Sequence, residues 1–141
     1  MSGREAVSGS PVASDATNQI IKLLDSMYDA YQRRDWDLFN SHLDPSVTAW
    51  ESHLPDLIKG QTQLDEHRNS RATPRPLSSL TATNHLVDDW NDTALVRYLL
   101  IAVDEETAIT LTSRITEVLR WNGSRWRIVH RHAEYLPTQP G

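Results

Sequence analysis

Ile109-Thr-Leu-Thr-Ser-Arg-Ile-Thr-Glu-Val-Leu-Arg-Trp121, then Asn122-Gly123-Ser124, then Arg125-Trp-Arg-Ile-Val-His-Arg-His-Ala-Glu-Tyr135 is the stretch whose reading decides the fold. Two runs rich in β-branched and aromatic residues flank an Asn-Gly pair, the strongest short-range signal for a β-hairpin. Both runs exceed the ~5–6 residues of an ordinary strand, which puts the hairpin at the centre of a curved sheet. Strict alternation sends Trp126, Ile128, His130 and His132 to one face and Arg127, Val129, Arg131 and Ala133 to the other. On the preceding strand Ile109, Leu111, Ser113, Ile115, Glu117 and Leu119 share a face.

Upstream of this hairpin, 77–87 and 93–103 read as two more strands around an Asp88-Asp89-Trp90-Asn91-Asp92 turn. Before them the period changes. Ile20, Leu24, Met27, Tyr28 and Tyr31 recur at helical spacing, and Tyr28 and Tyr31 fall on its buried face. Asp35 opens a shorter helix with Trp36, Phe39 and Leu43, which Asp44-Pro45 ends. Residues 47–50 form a short strand, 57–58 a second strand or turn, and 61–70 a third, mostly wet helix. Thr73-Pro-Arg-Pro76 is a stiff connector. Helices first and strands afterwards define an α+β fold with an antiparallel sheet. The expected organisation is a loose polar tail over 1–15, one domain over 16–137, and a short tail over 138–141.

The bulk properties narrow the function. The chain has 141 residues, a net charge of −5 and no cysteine. The acidic balance argues against nucleic acid as a partner, since phosphate binding needs a concentrated positive footprint. Disulfides, thiolate metal sites and cysteine nucleophiles are excluded. No run is long or apolar enough for a membrane span, and the N-terminus has no apolar signal core, so a cytoplasmic protein is expected. Apolar residues occupy both faces of the predicted sheet. The helices cover one, and a second copy of the chain is the economical cover for the other.

Specific segments strengthen this reading. They are Arg34-Asp35-Trp36-Asp37-Leu38-Phe39, Leu43-Asp44-Pro45-Ser46-Val47-Thr48-Ala49-Trp50-Glu51, Gly60 before a helix, and Gly123-Ser-Arg-Trp126-Arg-Ile-Val-His-Arg-His132. Together, over roughly Asn18 to Pro137, they resemble the nuclear transport factor 2-like superfamily. Within it the chain is most similar to the association (hub) domain of calcium/calmodulin-dependent protein kinase II and to stand-alone hub-like and SnoaL-like proteins. The resemblance implies a cone: N-terminal helices packed in a strongly bent sheet, open at one end. It also implies homo-oligomers, dimers or larger rings, built through the outer sheet face. The chain carries no kinase motif, so a free-standing hub is expected. It departs from the hub at three inward strand positions where the hub carries arginines and this chain has Leu100, Glu117 and Ala133, with Arg131 as a replacement positive charge. Its third helix, Gln61-Thr-Gln-Leu-Asp-Glu-His67, also lacks the hub's aromatic residues.

Relatives within the superfamily include ketosteroid isomerases, polyketide cyclases and dehydratases, which place an Asp, Glu or His base in the cone. A carboxylate in a dry pocket has a shifted pKa and can move a proton near neutral pH. Here Glu117 is the candidate base. Tyr98, Glu117 and Arg131 are the candidate ligand-binding residues, with Trp50 and His53 near the mouth. The competing role for Glu117 is a packed, inert ion pair with Arg131. The face of Trp126, Ile128, His130 and His132 is assigned to the partner subunit. Two histidines two apart on a strand can also ligate a metal, but spacing supplies no third ligand, so no metal is expected. Arg114, Arg120, Arg125, Arg127 and Arg131 suit interface ion pairs, and His42, His67 and His85 read as surface residues. No motif calls for a cofactor. The leading expectation is a self-associating hub-like domain with a cavity for a small ligand. The alternative is a cofactor-free isomerase, cyclase or dehydratase.

Overall fold

The structure, a computed structural model, describes residues 13–70 and 76–137. Helix α1 (Ala13–Arg33) leads into α2 (Trp36–Ser41), then β1 (Leu43–Trp50), β2 (Ile58–Lys59), α3 (Gly60–Ser70) and four long strands. These are β3 (Leu77–Trp90), β4 (Thr93–Asp104), β5 (Thr110–Trp121) and β6 (Trp126–Tyr135). The expected N-terminal tail lies outside the described residues except for 13–15, which open α1. The expected connector over 73–76 lies outside them except for Pro76, and the expected tail over 138–141 lies wholly outside.

Helix α1 buries Ile20, Leu23, Leu24, Met27 and Tyr28 along one stripe. It stops where Arg34 takes the left-handed conformation (φ 58°), and Asp35 then caps α2 by accepting from the Leu38 N–H at 3.2 Å. Gly60, at φ 84°, makes the sharp entry into α3 that a side chain would strain.

The six strands form one open sheet in the order β2-β1-β6-β5-β4-β3. The α+β architecture is the expected one, but the sheet is mixed rather than wholly antiparallel, because β1 runs parallel to β6. Pro45 does not end the segment as expected. It sits inside β1, where the β1–β6 register shifts between Leu43 and Thr48, so its missing N–H falls at an irregularity in the ladder. The first hairpin is longer than expected: β3 continues through Trp90, leaving Asn91-Asp92 as the turn. In the last hairpin the Asn122 Oδ1 accepts from the backbone N–H groups of Ser124 and Arg125, both at 3.0 Å.

One irregularity alters which face the residues occupy. Val118 pairs with His130, but the next residue, Leu119, pairs with Ile128. Val129 is therefore an extra residue, a β-bulge that shifts the alternation by one. Trp126 (2% exposed) and Ile128 (0%) lie in the core beside Leu119 and Leu43, and beyond the bulge Ala133 is buried on the same side. The expectation that Trp126 and Ile128 share the outer face with His130 and His132 is corrected accordingly.

Candidate functional site

Four side chains from four elements close a ring in the interior. Glu117 of β5, fully buried, stands opposite Arg131 of β6 in register. Its Oε2 accepts from Arg131 Nη1 at 3.1 Å and its Oε1 accepts from the Tyr98 hydroxyl at 2.7 Å. Tyr28 of α1 completes the ring, 2.6 Å from the Tyr98 hydroxyl and 2.7 Å from Arg131 Nη1. The protons can be placed by counting donors. Tyr98 has one, and it goes to Glu117, so Tyr28 donates to Tyr98 and accepts from Arg131. The second face of Arg131 belongs to Glu51, whose Oε2 accepts from Nε at 3.0 Å.

Burial pushes the Glu117 carboxyl up, against the pull of Arg131 and Tyr98. Burial likewise raises the Tyr28 phenol to about 12 and the Tyr98 phenol well above its ordinary value. Burial alone would lower Arg131, but Tyr28, Glu51, Tyr98 and Glu117 together outweigh it and hold the guanidinium charged. Every carboxyl and phenol of the cluster has a hydrogen-bond partner within it. Such a ring supplies a fixed polar floor, and a ligand reaching Glu117 must displace one of its partners.

Above this floor is a cavity of about 540 Å³, within the range of small-molecule sites. Leu64, Leu80 and Leu100 give its lining an apolar character, and Arg34, Arg68, His53 and His67 also border it. Arg68 lies flat on Trp36, 4.3 Å from the ring centroid, and 5.2 Å from that of Phe39. Its Nη2 reaches Asn40 Oδ1 at 3.1 Å and Asp65 at 3.2 Å. The Nε2 atoms of His53 and His67 stand 3.3 Å apart.

The structure thus brings Tyr98, Glu117 and Arg131 together and sets His53 at the rim. Trp50 departs from its expected place. Val47 and Ala49 point inward, so Trp50 points to the outer face, where it pairs in register with His132. Glu51, the next residue, takes the cavity position. Three histidines expected at the surface are placed otherwise. His67 is on the rim, and His85 stacks on Tyr98 with centroids 5.4 Å apart. His42 is buried, and its Nδ1 accepts from Arg125 at 3.0 Å. That contact leaves the proton on Nε2, which donates to Ser26 Oγ at 2.9 Å. An imidazole that already donates to a serine cannot serve as its base, so Ser26 is not an activated nucleophile. His130 is on the outer face, with its Nδ1 2.7 Å from Thr48 Oγ1. The sequence reading missed Tyr28, Glu51 and Arg68. Counting parity from Val47 and Ala49 would have found Glu51; Arg68 had no local signal.

A bent sheet wrapped over α1 with a cavity at its open end defines the nuclear transport factor 2-like class. The chain belongs to the SnoaL-like domain family, which matches residues 20–136. It is 25% identical over 131 residues to calcium/calmodulin-dependent protein kinase type II subunit delta from Oryctolagus cuniculus. That match covers 86% of this chain but only 24% of the relative, so the chain spans about a quarter of its length. Among solved structures, the association domain of C. elegans CaMKII is 25% identical with a TM-score of 0.73, covering 86% of this chain and 97% of that one. A candidate ketosteroid isomerase from Parabacteroides distasonis superposes with a TM-score of 0.69 at 22% identity, covering 83% of this chain and 85% of that one. Among the described residues no helix is long and apolar enough to cross a membrane.

Proposed function

We propose that this chain is a self-associating, hub-like domain whose cavity holds a small ligand. The outer face of the sheet carries the reading. One register row runs Trp50, His132, Thr116, Arg97, Leu86, and the next runs Thr48, His130, Val118, Leu95, Asp88. Trp90 and Leu86 are 60% and 57% exposed. A continuous face of this kind, apolar in patches and bordered by arginines, matches a self-complementary interface between two copies. The likeness to an association domain supports the same assignment. Sedimentation velocity at micromolar concentration is expected to show a dimer or a larger ring, and a strict monomer overturns the reading. Leu86→Glu should weaken association while changing monomer stability by no more than about 0.5 kcal/mol, as for exposed positions generally.

A second reading, a proton-transferring isomerase, cyclase or dehydratase, is favoured by one observation: Glu117 is dry, its pKa is raised, and a phenol donates to it at 2.7 Å. Glu117→Gln separates the two. A general base lost at this position would lower turnover of a β,γ-unsaturated ketone about 10²–10⁴-fold. If Glu117 serves the floor, the variant keeps its ligand affinity and shows no such activity to lose.

A further inference from the structure

The turn that closes the last hairpin holds a reactive arrangement used by neither the cavity nor the outer face. Asn122, Gly123 and Ser124 are all exposed. The Asn122 Oδ1 accepts from three donors: the Ser124 and Arg125 N–H groups, both at 3.0 Å, and the Ser124 hydroxyl at 3.1 Å. Those donors polarise the side-chain carbonyl and face the oxygen that turns negative when a nucleophile adds to Cγ. The nitrogen of the same amide, Nδ2, has no hydrogen-bond partner among the described residues, so the leaving group is free. The Gly123 N–H is also without an acceptor among them, which leaves its proton open to solvent base. No atom lies within 4 Å of the position a side chain would take at Gly123, so nothing shields its nitrogen. Nucleophile, polarised carbon and leaving group are thus adjacent in one turn, the setting in which an intramolecular attack gains most from proximity.

We infer that Asn122 is a site of self-modification, at which the Gly123 nitrogen closes on the asparagine side chain and converts it to aspartate and isoaspartate. Solvent base takes the Gly123 N–H proton as the nitrogen bonds to Cγ, and the oxyanion forms at Oδ1 beneath its three donors. The Cγ–Nδ2 bond then breaks, and Nδ2 takes a proton from water and leaves as ammonia. One water molecule opens the five-membered imide that remains. Attack at Cγ gives aspartate. Attack at the Asn122 main-chain carbonyl carbon gives isoaspartate, whose backbone runs through the side-chain carbon. One water is consumed, one ammonia is released, and nothing is oxidised or reduced.

The other asparagines lack this combination. Asn18 and Asn69 lie within helices. Asn40 is held at both ends, with Nδ2 on Asp65 and Oδ1 on Arg68, each at 3.1 Å. Asn84 and Asn91 precede His85 and Asp92, whose side chains crowd the attacking nitrogen. The two products also differ in consequence. Aspartate keeps an oxygen for the Ser124 and Arg125 donors and adds charge to it. Isoaspartate inserts one backbone atom between β5 and β6, next to the Trp121–Trp126 pair, and strains the register that brings Arg131 to Glu117.

The full chain is incubated at neutral pH and physiological temperature, beside a peptide of residues 120–127. Amide-to-acid conversion is followed by mass spectrometry, with fragmentation that distinguishes isoaspartate from aspartate. Conversion of Asn122 in the folded chain is expected within about tenfold of the peptide's rate, because surface turns open at almost no free-energy cost. It should be faster than at any other asparagine and should rise with pH. Ser124→Ala, at an exposed position, should slow it about two- to fivefold against a peptide with the same change, the effect of one modest hydrogen bond. Asn122→Asp supplies the aspartate product, and the isoaspartate form should melt several degrees below it. A folded-state rate about 10³-fold or more below the peptide's, the mark of a reaction that waits for global unfolding, overturns the proposal. Faster conversion at another asparagine overturns it as well.

Discussion

Arg131→Met is expected to destabilise the fold by about 3–5 kcal/mol, the usual cost of removing one partner from a buried ion pair. For a domain of this size that lowers the melting temperature by roughly 10 °C or more. The substitution leaves the Glu117 Oε2 without its donor and frees Glu51, while the methionine fills much of the space. The loss should depend on pH, and its sign follows from Glu117. Its folded pKa is already raised by burial and rises further without Arg131. A carboxyl of this kind contributes stability that is fully present below its unfolded pKa and is lost as pH rises through the folded one. The deficit relative to the parent should therefore be small in acid and grow toward neutral pH. Adding Glu117→Gln should recover part of it and flatten the pH dependence. A melting temperature unchanged by Arg131→Met at neutral pH would show that the ring is not a stabilising unit.

Trp126→Ala should cost a comparable amount, about 3–5 kcal/mol, because it empties a large, nearly inaccessible site. Trp126 packs edge-on against Trp121 with centroids 5.6 Å apart, and its indole N–H donates to Gln19 at 3.0 Å, tying β6 to α1. The same variant tests the face assignment. A core tryptophan lowers the melting temperature at every protein concentration. An interface tryptophan would instead weaken association and spare the dissociated monomer, and that result would return Trp126 to the outer surface.

Much of the architecture was legible in the chain because its signals are local. The Asn122-Gly123 turn, the long β-branched runs and the 3.6-residue stripe of α1 each specify an element without reference to distant residues. The pairing of Glu117 with Arg131 follows from the family resemblance and not from parity: with Trp121 opposite Trp126, unbroken alternation would set Glu117 opposite His130, and only the bulge brings Arg131 there. What could not be read was set by register. The Val129 bulge changes the parity of half a strand and leaves no mark in composition, so Trp126 and Ile128 were assigned to the wrong face. Pro45 looked like a stop because an irregular ladder that tolerates it cannot be seen from one strand alone. Trp50 is expected near the cavity mouth, but the inward phase of β1 passes from Val47 and Ala49 to the neighbouring Glu51. Tyr28 and Arg68 reach the site from helices, and their roles depend on how those helices lie across the sheet.

The bulge has one more consequence. Val129 acts on β6 as a frameshift acts on a message: the segments before and after it are written in different phases, yet both are read on one side. Near the turn that side spells hydrophobic core, with Trp126 and Ile128. Past the bulge it spells the cavity, with Arg131 and Ala133. A relative lacking the extra residue, aligned letter by letter through this strand, would match His130 to its cavity position and misplace the guanidinium on which the floor depends.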